Sequence, residues 1–144
     1  MNGPSHSTTL RVDVAADAAF DFLADPVQLG RWSLGCFGTE AAGEPGLYTG
    51  VSLYDGGRGW FRIDADRPRQ IVDYHVGDVT SQVPRVSARV VPGPVCGLPR
   101  TACYVTLTAW RIHGMDDARW SRLCAAHEAE IWLIKSQIET STRR

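Results

Sequence analysis

The sequence has no apolar run close to the roughly 20 residues needed to cross a bilayer, and Met1 to Ser7 lack the basic and apolar regions of a signal peptide. It also has no lysine and arginine cluster long enough to follow a phosphate backbone, since 15 basic residues are balanced by 16 acidic ones. We therefore expect a cytoplasmic protein that binds neither a membrane nor nucleic acid. Its 144 residues are enough to bury one continuous core.

Metal and redox motifs are missing as well. The four cysteines show no C-x-x-C spacing, which makes them structural thiols rather than metal ligands or a redox pair. The run from His127 to Ile131 begins like the helix of a zinc protease, but Ile131 stands where the second histidine ligand is needed. No Gly-rich nucleotide fingerprint occurs either, so we expect no metal and no other cofactor. The cysteines are Cys36, Cys96, Cys103 and Cys124.

The order of predicted elements gives an α+β domain over residues 8–140, with flexible termini at 1–7 and 141–144. Apolar and polar residues alternate over 8–14, which predicts a strand. Asp17 and Pro26 begin two short helices, the second of which ends near Trp32. Closely spaced turn residues then favour antiparallel hairpins. The six further strands are expected at 35–41, 47–54, 59–65, 70–77, 85–91 and 101–112.

A long helix is predicted from Asp116 to Glu139, and one polar residue lies in the middle of its apolar stripe. At about 100° per residue, the stripe falls within about 60° of His127. An imidazole facing the interior must find a partner, line a polar cavity or take part in chemistry, because burying it unpaired is costly. The alternative is a core histidine bonded to a carbonyl or a tyrosine. The stripe consists of Trp120, Leu123, Cys124, Ile131, Ile134 and Ile138.

The first part of the chain, over residues 12–32, has the pattern Val12-x-Val14-Ala15-Ala16-Asp17-x-x-Phe20-x-Phe22-Leu23-Ala24-Asp25-Pro26-x-x-Leu29-x-x-Trp32. This pattern resembles the start of the START/Bet v 1-like superfamily, in particular its polyketide cyclase/dehydrase and lipid-transport branch. The resemblance implies a helix-grip fold, in which a seven-stranded curved antiparallel sheet wraps around a long C-terminal helix. It also implies a deep cavity for a small hydrophobic or aromatic molecule, but no shared catalytic motif.

The two faces of the predicted sheet differ sharply in chemistry. Burying the apolar face is favoured, since each large apolar side chain contributes about 1.5–3 kcal/mol. The cavity would then have Tyr74 and His127 as its main polar groups. The apolar face carries Phe61, Ile63, Val72, Tyr74, Val76, Val86, Ala88, Val90, Cys103, Val105 and Leu107. The polar and aromatic face carries Tyr48, Tyr54, Trp60, Arg62, Asp73, His75, Arg85, Arg89, Tyr104, Thr106 and Trp110.

A second arrangement stays open, because bulges could turn part of the polar face inward. Asp73 or His75 would then take a proton, and Arg89 or Tyr104 would stabilise an oxyanion in enolate chemistry. If that face stays outside, its aromatic residues form a dimer surface or a cross-strand ladder. The residues expected to contact the ligand are Trp32, Phe61, Trp60, Val105, Trp110, Trp120, Cys124 and Ile131.

Three functions are compatible with these features. The first is a cofactor-independent enzyme of the cyclase or dehydratase type, which performs acid–base chemistry on a hydrophobic or aromatic substrate. The second is a carrier or sensor of a hydrophobic metabolite, which needs the cavity but no acid and base. The third is a protein-interaction module like the chaperone activators of the superfamily, with the aromatic sheet face and Trp132 as the contact surface. In each case we expect a monomer or a homodimer.

Overall fold

A seven-stranded antiparallel sheet and a long C-terminal helix make up most of the structure, a computed structural model that describes residues 3–142. The strands follow the order β1-β7-β6-β5-β4-β3-β2 across the sheet, and every pair of neighbours is antiparallel. The elements in chain order are β1 Ser5–Val12, α1 Ala16–Ala24, α2 Pro26–Trp32, β2 Phe37–Ala41, β3 Tyr48–Val51, β4 Arg58–Asp66, β5 Ile71–Gly77, β6 Gln82–Pro92, a 3₁₀ turn Gly93–Cys96, β7 Cys103–Trp110 and α3 Asp117–Thr142. The expected α+β helix-grip architecture is confirmed.

The boundaries at both ends of the chain differ from the sequence-based ones. β1 begins at Ser5 because it pairs along the full length of β7, from Ser5 opposite Trp110 to Val12 opposite Cys103. Part of the segment expected to be a flexible N-terminus is therefore ordered strand. At the other end, α3 continues through 141–142. The remaining parts of the predicted flexible termini, 1–2 and 143–144, lie outside the described residues.

Strand lengths also differ, for a local reason. β3 is shorter than the expected 47–54, because Ser52 accepts a hydrogen bond from the backbone of Gly56 and the chain turns there. β6 is longer than the expected 85–91 and runs from Gln82 to Pro92. The residues added at the start of β6 pair with the end of β5, and a register irregularity that matters for the functional site separates them from the rest of the strand.

The two short helices close one end of the sheet. Asp25 caps α2, since its carboxylate accepts a 2.9 Å hydrogen bond from the backbone of Val27, and Pro26 occupies the first turn. α2 then lies very close to β2: a Cβ added at Gly30 would come within 2.5 Å of the Thr39 backbone nitrogen. This packing fixes Trp32, at the end of α2, over the interior of the sheet.

The apolar face of the sheet is the buried one, as the burial argument predicts. Its side chains pack against α1, α2 and the C-terminal part of α3, where Ile131, Ile134 and Ile138 are at most 2% exposed. A second, smaller apolar cluster lies at the start of α3 and contains Ala109, Met115, Trp120 and Cys124. Between these two clusters, the middle of α3 borders a cavity.

Candidate functional site

A cavity of about 720 Å³ lies between the middle of α3, the end of α2 and the central strands. This volume is in the range of small-molecule sites. One wall is apolar and aromatic, and Leu29, Trp32, Phe61 and Tyr74 form it. The opposite wall comes from α3 and carries four titratable side chains. The residues of α3 that line the cavity are Arg119, Arg122, Leu123, Ala126, His127 and Glu130.

His127 and Glu130 form the polar centre of this wall. They lie one helical turn apart, each is 4% exposed, and His127 Nε2 is 3.8 Å from Glu130 Oε1. That separation is too long for a hydrogen bond. His127 Nδ1 has no hydrogen-bond partner among residues 3–142. Glu130 Oε2 instead accepts a 2.7 Å hydrogen bond from the backbone of Leu34, which holds the loop after α2 against the helix.

Burial shifts the pKa values of these two groups in opposite directions. It lowers the pKa of His127 to about 4, and the nearby His6 and Arg85 lower it further. It raises the pKa of Glu130 to about 8, although the Leu34 amide and Arg85 partly oppose this. Near neutral pH the cavity therefore contains a neutral histidine beside a protonated carboxylic acid, which is an acceptor and a donor of protons at one place.

A β-bulge brings Arg85 into the same cavity. Tyr74 lies opposite Val86 and His75 lies opposite Pro84, so Arg85 is the extra residue with no partner on β5. The sequence pattern placed Arg85 on the outer face, which is wrong for this residue because the bulge reverses its direction. Its side chain lines the cavity, and its Nε is buried without a hydrogen-bond partner among residues 3–142. Burial lowers the pKa of Arg85, and so does the neighbouring Arg119.

Trp32 and Tyr74 line the cavity as expected, and contacts with neighbouring residues hold both side chains in place. The Tyr74 hydroxyl donates a 2.6 Å hydrogen bond to the Leu23 carbonyl, and burial raises its pKa well above the usual range. The ring of Trp32 meets the Tyr74 ring edge to face at 5.9 Å. These contacts make Tyr74 a rigid wall rather than a free proton donor.

The other polar candidates predicted for catalysis lie outside the cavity. Asp73, His75, Arg89 and Tyr104 do not line it, because their positions alternate with Val72, Tyr74, Val90 and Val105, which are buried on the inner face. The bulge in β6 changes the direction of Arg85 but leaves those four outside. The proposal that they form an enolate site is therefore wrong.

Most of the expected ligand contacts are also elsewhere. Phe61 lines the cavity, as Trp32 does, but Trp60 lies on the other face and Trp110 is 48% exposed. The remaining four residues are buried in packed clusters that border the cavity at either end. These are Val105 and Ile131 in the main core, and Trp120 and Cys124 in the second cluster. A helical projection gives the direction of a side chain but not whether the space in front of it is filled.

Two aromatic residues assigned to the outer face also behave differently. Tyr48 lies opposite Phe61 in the β3–β4 pair, and the two rings stack at 5.7 Å, so Tyr48 packs against the core. Tyr54 follows β3 and lines the cavity, with the Arg122 guanidinium 5.0 Å from its ring centre. Pairing with Phe61 removes Tyr48 from the proposed aromatic outer surface, and the turn after β3 removes Tyr54.

Sequence reasoning missed Glu130 and Arg85, although both left a signal. Glu130 is three residues after His127 and so lies at the edge of the same helical stripe. Pro84 directly precedes the predicted strand 85–91, and proline in a sheet is confined to edges, strand starts and bulges. Cys36 also lines the cavity, but burial raises the pKa of its thiol to about 11, which makes it a poor nucleophile.

Behind His127, a histidine from β1 links the cavity wall to the surface. The His6 ring lies 6.5 Å from the His127 ring, and His6 Nε2 is 2.9 Å from Glu128 Oε1 on the exposed side of α3. Among residues 3–142, no three His, Cys, Asp or Glu side chains are grouped so that they could hold a metal ion. None of the helices in that part of the chain is both long enough and apolar enough to span a membrane.

Comparison with known proteins places this architecture among solved structures. No family model matches the sequence, and no curated protein matches it significantly. XoxI from Bacillus cereus matches with a TM-score of 0.70 and 8% identity, over 94% of this chain and 96% of that one. The Aha1 dimer from Colwellia psychrerythraea matches with a TM-score of 0.65 and 13% identity, over 94% of this chain and 96% of that one.

A third matching structure is that of a protein from a biosynthetic pathway. The di-domain ARO/CYC StfQ from the steffimycin pathway has a TM-score of 0.64 and 15% identity, over 96% of this chain and 46% of StfQ. This chain has a helix-grip fold, which it shares with these structures. Identities this low show the shared fold alone, and the helix-grip fold supports many functions. The activity must therefore be argued from the residues in the cavity.

Proposed function

We propose that this protein is a small-molecule enzyme of the cyclase or dehydratase type, which moves protons on a hydrophobic or aromatic substrate inside the cavity. The observation that carries the proposal is the pair formed by His127 and Glu130. Both side chains are buried and line the cavity, 3.8 Å apart, and their pKa values are shifted so that one is a neutral base and the other a protonated acid. Pairs of groups whose environments push their pKa values apart are typical of acid–base sites.

The chemistry follows from the position of each group. In a dehydration, His127 takes a proton from a carbon next to a carbonyl group, and the electrons of that bond form a double bond. The carbon–oxygen bond of the β-hydroxyl then breaks, and the hydroxyl leaves as water with the proton of Glu130. His127 is now protonated and Glu130 ionised, so a proton that passes from one to the other restores both groups.

The rest of the cavity supports this chemistry in two ways. Trp32, Phe61 and Tyr74 offer flat apolar surfaces against which an aromatic substrate can pack. The burial of His127 and Glu130 limits their contact with water, which strengthens electrostatic interactions with a substrate. The match to StfQ supports a biosynthetic setting of this kind, but by fold only.

The test uses the β-hydroxy ketone formed from acetone and benzaldehyde, whose dehydration to benzylideneacetone is followed by ultraviolet absorbance. We expect His127→Gln and Glu130→Gln each to lower kcat/KM by about a hundredfold or more. Glu130→Gln keeps an oxygen that can accept the Leu34 hydrogen bond, so a loss of activity would not simply report a displaced loop. His113→Gln, at an exposed position outside the cavity, is the control.

The pH dependence gives a second readout. The base must be neutral and the acid must be protonated, so kcat/KM should rise as pH increases through about 4 and fall as it passes about 8. The falling limb should be absent in Glu130→Gln if residual activity can be measured. Equal activity in wild type and both variants would contradict the proposal.

A carrier or sensor of a hydrophobic metabolite is the second candidate function, and the size of the cavity favours it independently of any catalytic group. Mass spectrometry under native conditions, on protein purified from its source, would identify a retained ligand. A bound hydrophobic molecule, together with no turnover of β-hydroxy ketones, would favour the carrier over the enzyme.

A further inference from the structure

Four arginines line the cavity, and the side chains of two of them, Arg85 and Arg119, have neither an acidic partner nor an aromatic contact among residues 3–142. Arg122 contacts the Tyr54 ring, and Arg58 lies 3.9 Å from Glu40 and 3.4 Å from the Thr49 hydroxyl. Neither Arg85 nor Arg119 takes part in an ion pair within residues 3–142. The arginines that do so are Arg11, Arg58, Arg62, Arg67, Arg69 and Arg111.

The acidic residues that line the cavity do not neutralise these two cations. Glu130 is protonated near neutral pH, and no ion pair within 4.0 Å joins it to Arg85 among the described residues. The carboxylate of Asp55 accepts a 2.8 Å hydrogen bond from the Gly57 backbone. That of Asp78 accepts 2.9 Å hydrogen bonds from the backbones of Thr80 and Ser81. Both of these aspartates are therefore engaged by their own turns.

Arg85 is the deeper of the unpartnered cations. The bulge in β6 directs it into the cavity, and its buried Nε has no hydrogen-bond partner among residues 3–142. A guanidinium stays charged at any ordinary pH, and burying a charge without a partner is costly. Such a cost is explained if a negative group from outside the chain completes the site.

We propose that the molecule bound in the cavity is an apolar carboxylic acid whose carboxylate pairs with the Arg85 guanidinium. The inference rests on the proposed function, because it names the class of substrate that the same cavity takes. The planar guanidinium matches a carboxylate in a two-pronged geometry. The aromatic wall of Trp32, Phe61 and Tyr74 then packs against the apolar part of the acid.

Binding of the acid also changes the pKa of His127. Arg85 is one of the charges that hold the pKa of His127 low. A carboxylate paired with Arg85 cancels part of that charge, so the pKa of His127 rises towards the working pH. A substrate with the matching anionic group thus makes His127 a stronger base in the complex than in the empty cavity.

The test compares cinnamate with cinnamamide by isothermal titration calorimetry, since the two have nearly the same shape and differ in charge. Wild-type protein should bind cinnamate at least about tenfold more tightly than cinnamamide. Arg85→Met should remove that preference and leave the affinity for cinnamamide within about twofold. Arg89→Met is the matched control, because Arg89 lies four residues further along the same strand on the exposed face, and it should keep the preference.

A second measurement does not depend on the stability of Arg85→Met. The Nε–Hε signal of Arg85 in wild-type protein can be assigned by its loss in Arg85→Lys. Cinnamate should shift this signal by nuclear magnetic resonance, and cinnamamide at equal occupancy should not. A shift with neither compound, when both bind, would overturn the proposal.

The outcomes separate this proposal from the proposed function. Equal affinity of wild type for both compounds would overturn the carboxylate assignment and leave a working hydrophobic cavity. A preference that survives in Arg85→Met would overturn the role of Arg85. Binding of neither compound, together with no dehydration of the β-hydroxy ketone, would overturn both proposals.

Discussion

The two halves of α3 face the same sheet but meet it in different ways. After Glu130, the helix packs tightly: Ile131, Ile134 and Ile138 are almost fully buried in the main core. Before it, Ala126 and His127 are equally hidden from bulk solvent but border the cavity. One stripe of one helix therefore packs into the core at one end and borders the cavity at the other.

The difference shows how polar groups are tolerated in an interior. The packed half carries only apolar side chains along its buried stripe, because a polar group there would lose its water without gaining a partner. The cavity half carries His127 and Glu130, whose charged forms are disfavoured and whose pKa values shift accordingly. Burying two such groups lowers stability, which is a common compromise at the functional sites of proteins.

The largest effect on stability should come from the packed half. Ile134→Ala should lower the free energy of unfolding by about 2–5 kcal/mol, because it removes a side chain that is 0% exposed and leaves a void. Urea denaturation would measure this. Leu133→Ala, on the partly exposed side of the same helix, should cost less than about 1 kcal/mol. Similar losses in the two variants would mean that α3 is not packed as described.

The cavity half should respond to pH instead. The pKa of Glu130 is raised from an ordinary value of 4.5 to about 8, so folding favours its protonated form. That favourable contribution is lost as pH rises through 8. Between pH 4.5 and 6.5, His127 has the opposite effect, because its lowered pKa makes the unfolded chain bind the extra proton.

A clear window therefore remains between pH 6.5 and 8. There, the free energy of unfolding of wild type should fall by about 2 kcal/mol relative to that of Glu130→Gln, since a shift of one pKa unit corresponds to about 1.4 kcal/mol. Urea denaturation at both pH values, in both proteins, measures the difference. Parallel pH profiles for wild type and variant would show that burial does not raise the pKa of Glu130.

The smallest effect on stability should come from filling the cavity. Ala126→Leu adds apolar volume where there is empty space, so the free energy of unfolding should change by less than about 1 kcal/mol. The affinity for cinnamamide should nevertheless fall at least about tenfold, because the new side chain occupies part of its site. Isothermal titration calorimetry on the folded variant measures this affinity. A destabilisation as large as that of Ile134→Ala would show that the two halves are packed alike.

Much of the fold could be predicted from local patterns. The alternation in β1, the capping residues Asp25 and Pro26, and the apolar stripe of α3 each depend on neighbours in the sequence, which is why their positions are close to those found. Burial of the apolar sheet face followed in the same way, because the transfer free energy of many large side chains outweighs a few polar contacts. The same reasoning also identified His127 as a candidate for the wall of a polar cavity.

Other parts of the site depended on contacts between distant residues. Trp120, Cys124 and Ile131 share the stripe of His127, but they face packed side chains rather than the cavity. Whether a stripe meets atoms or empty space depends on the curvature and packing of the sheet, which no local pattern records. The same holds for Tyr48, whose pairing with Phe61 turns it into the core.

The sequence by itself determined the order of elements, the buried face of the sheet and the direction of His127, because periodicity and transfer free energy act locally. Only the tertiary structure decided that a bulge turns Arg85 inward and that Leu34, from a loop far away in sequence, binds Glu130. It also decided that the buried Nε of Arg85 has no hydrogen-bond partner among residues 3–142, although it lines the same cavity as His127 and Glu130. Electrostatic environment is set by the positions of groups from several elements, and those positions exist only once the chain has folded.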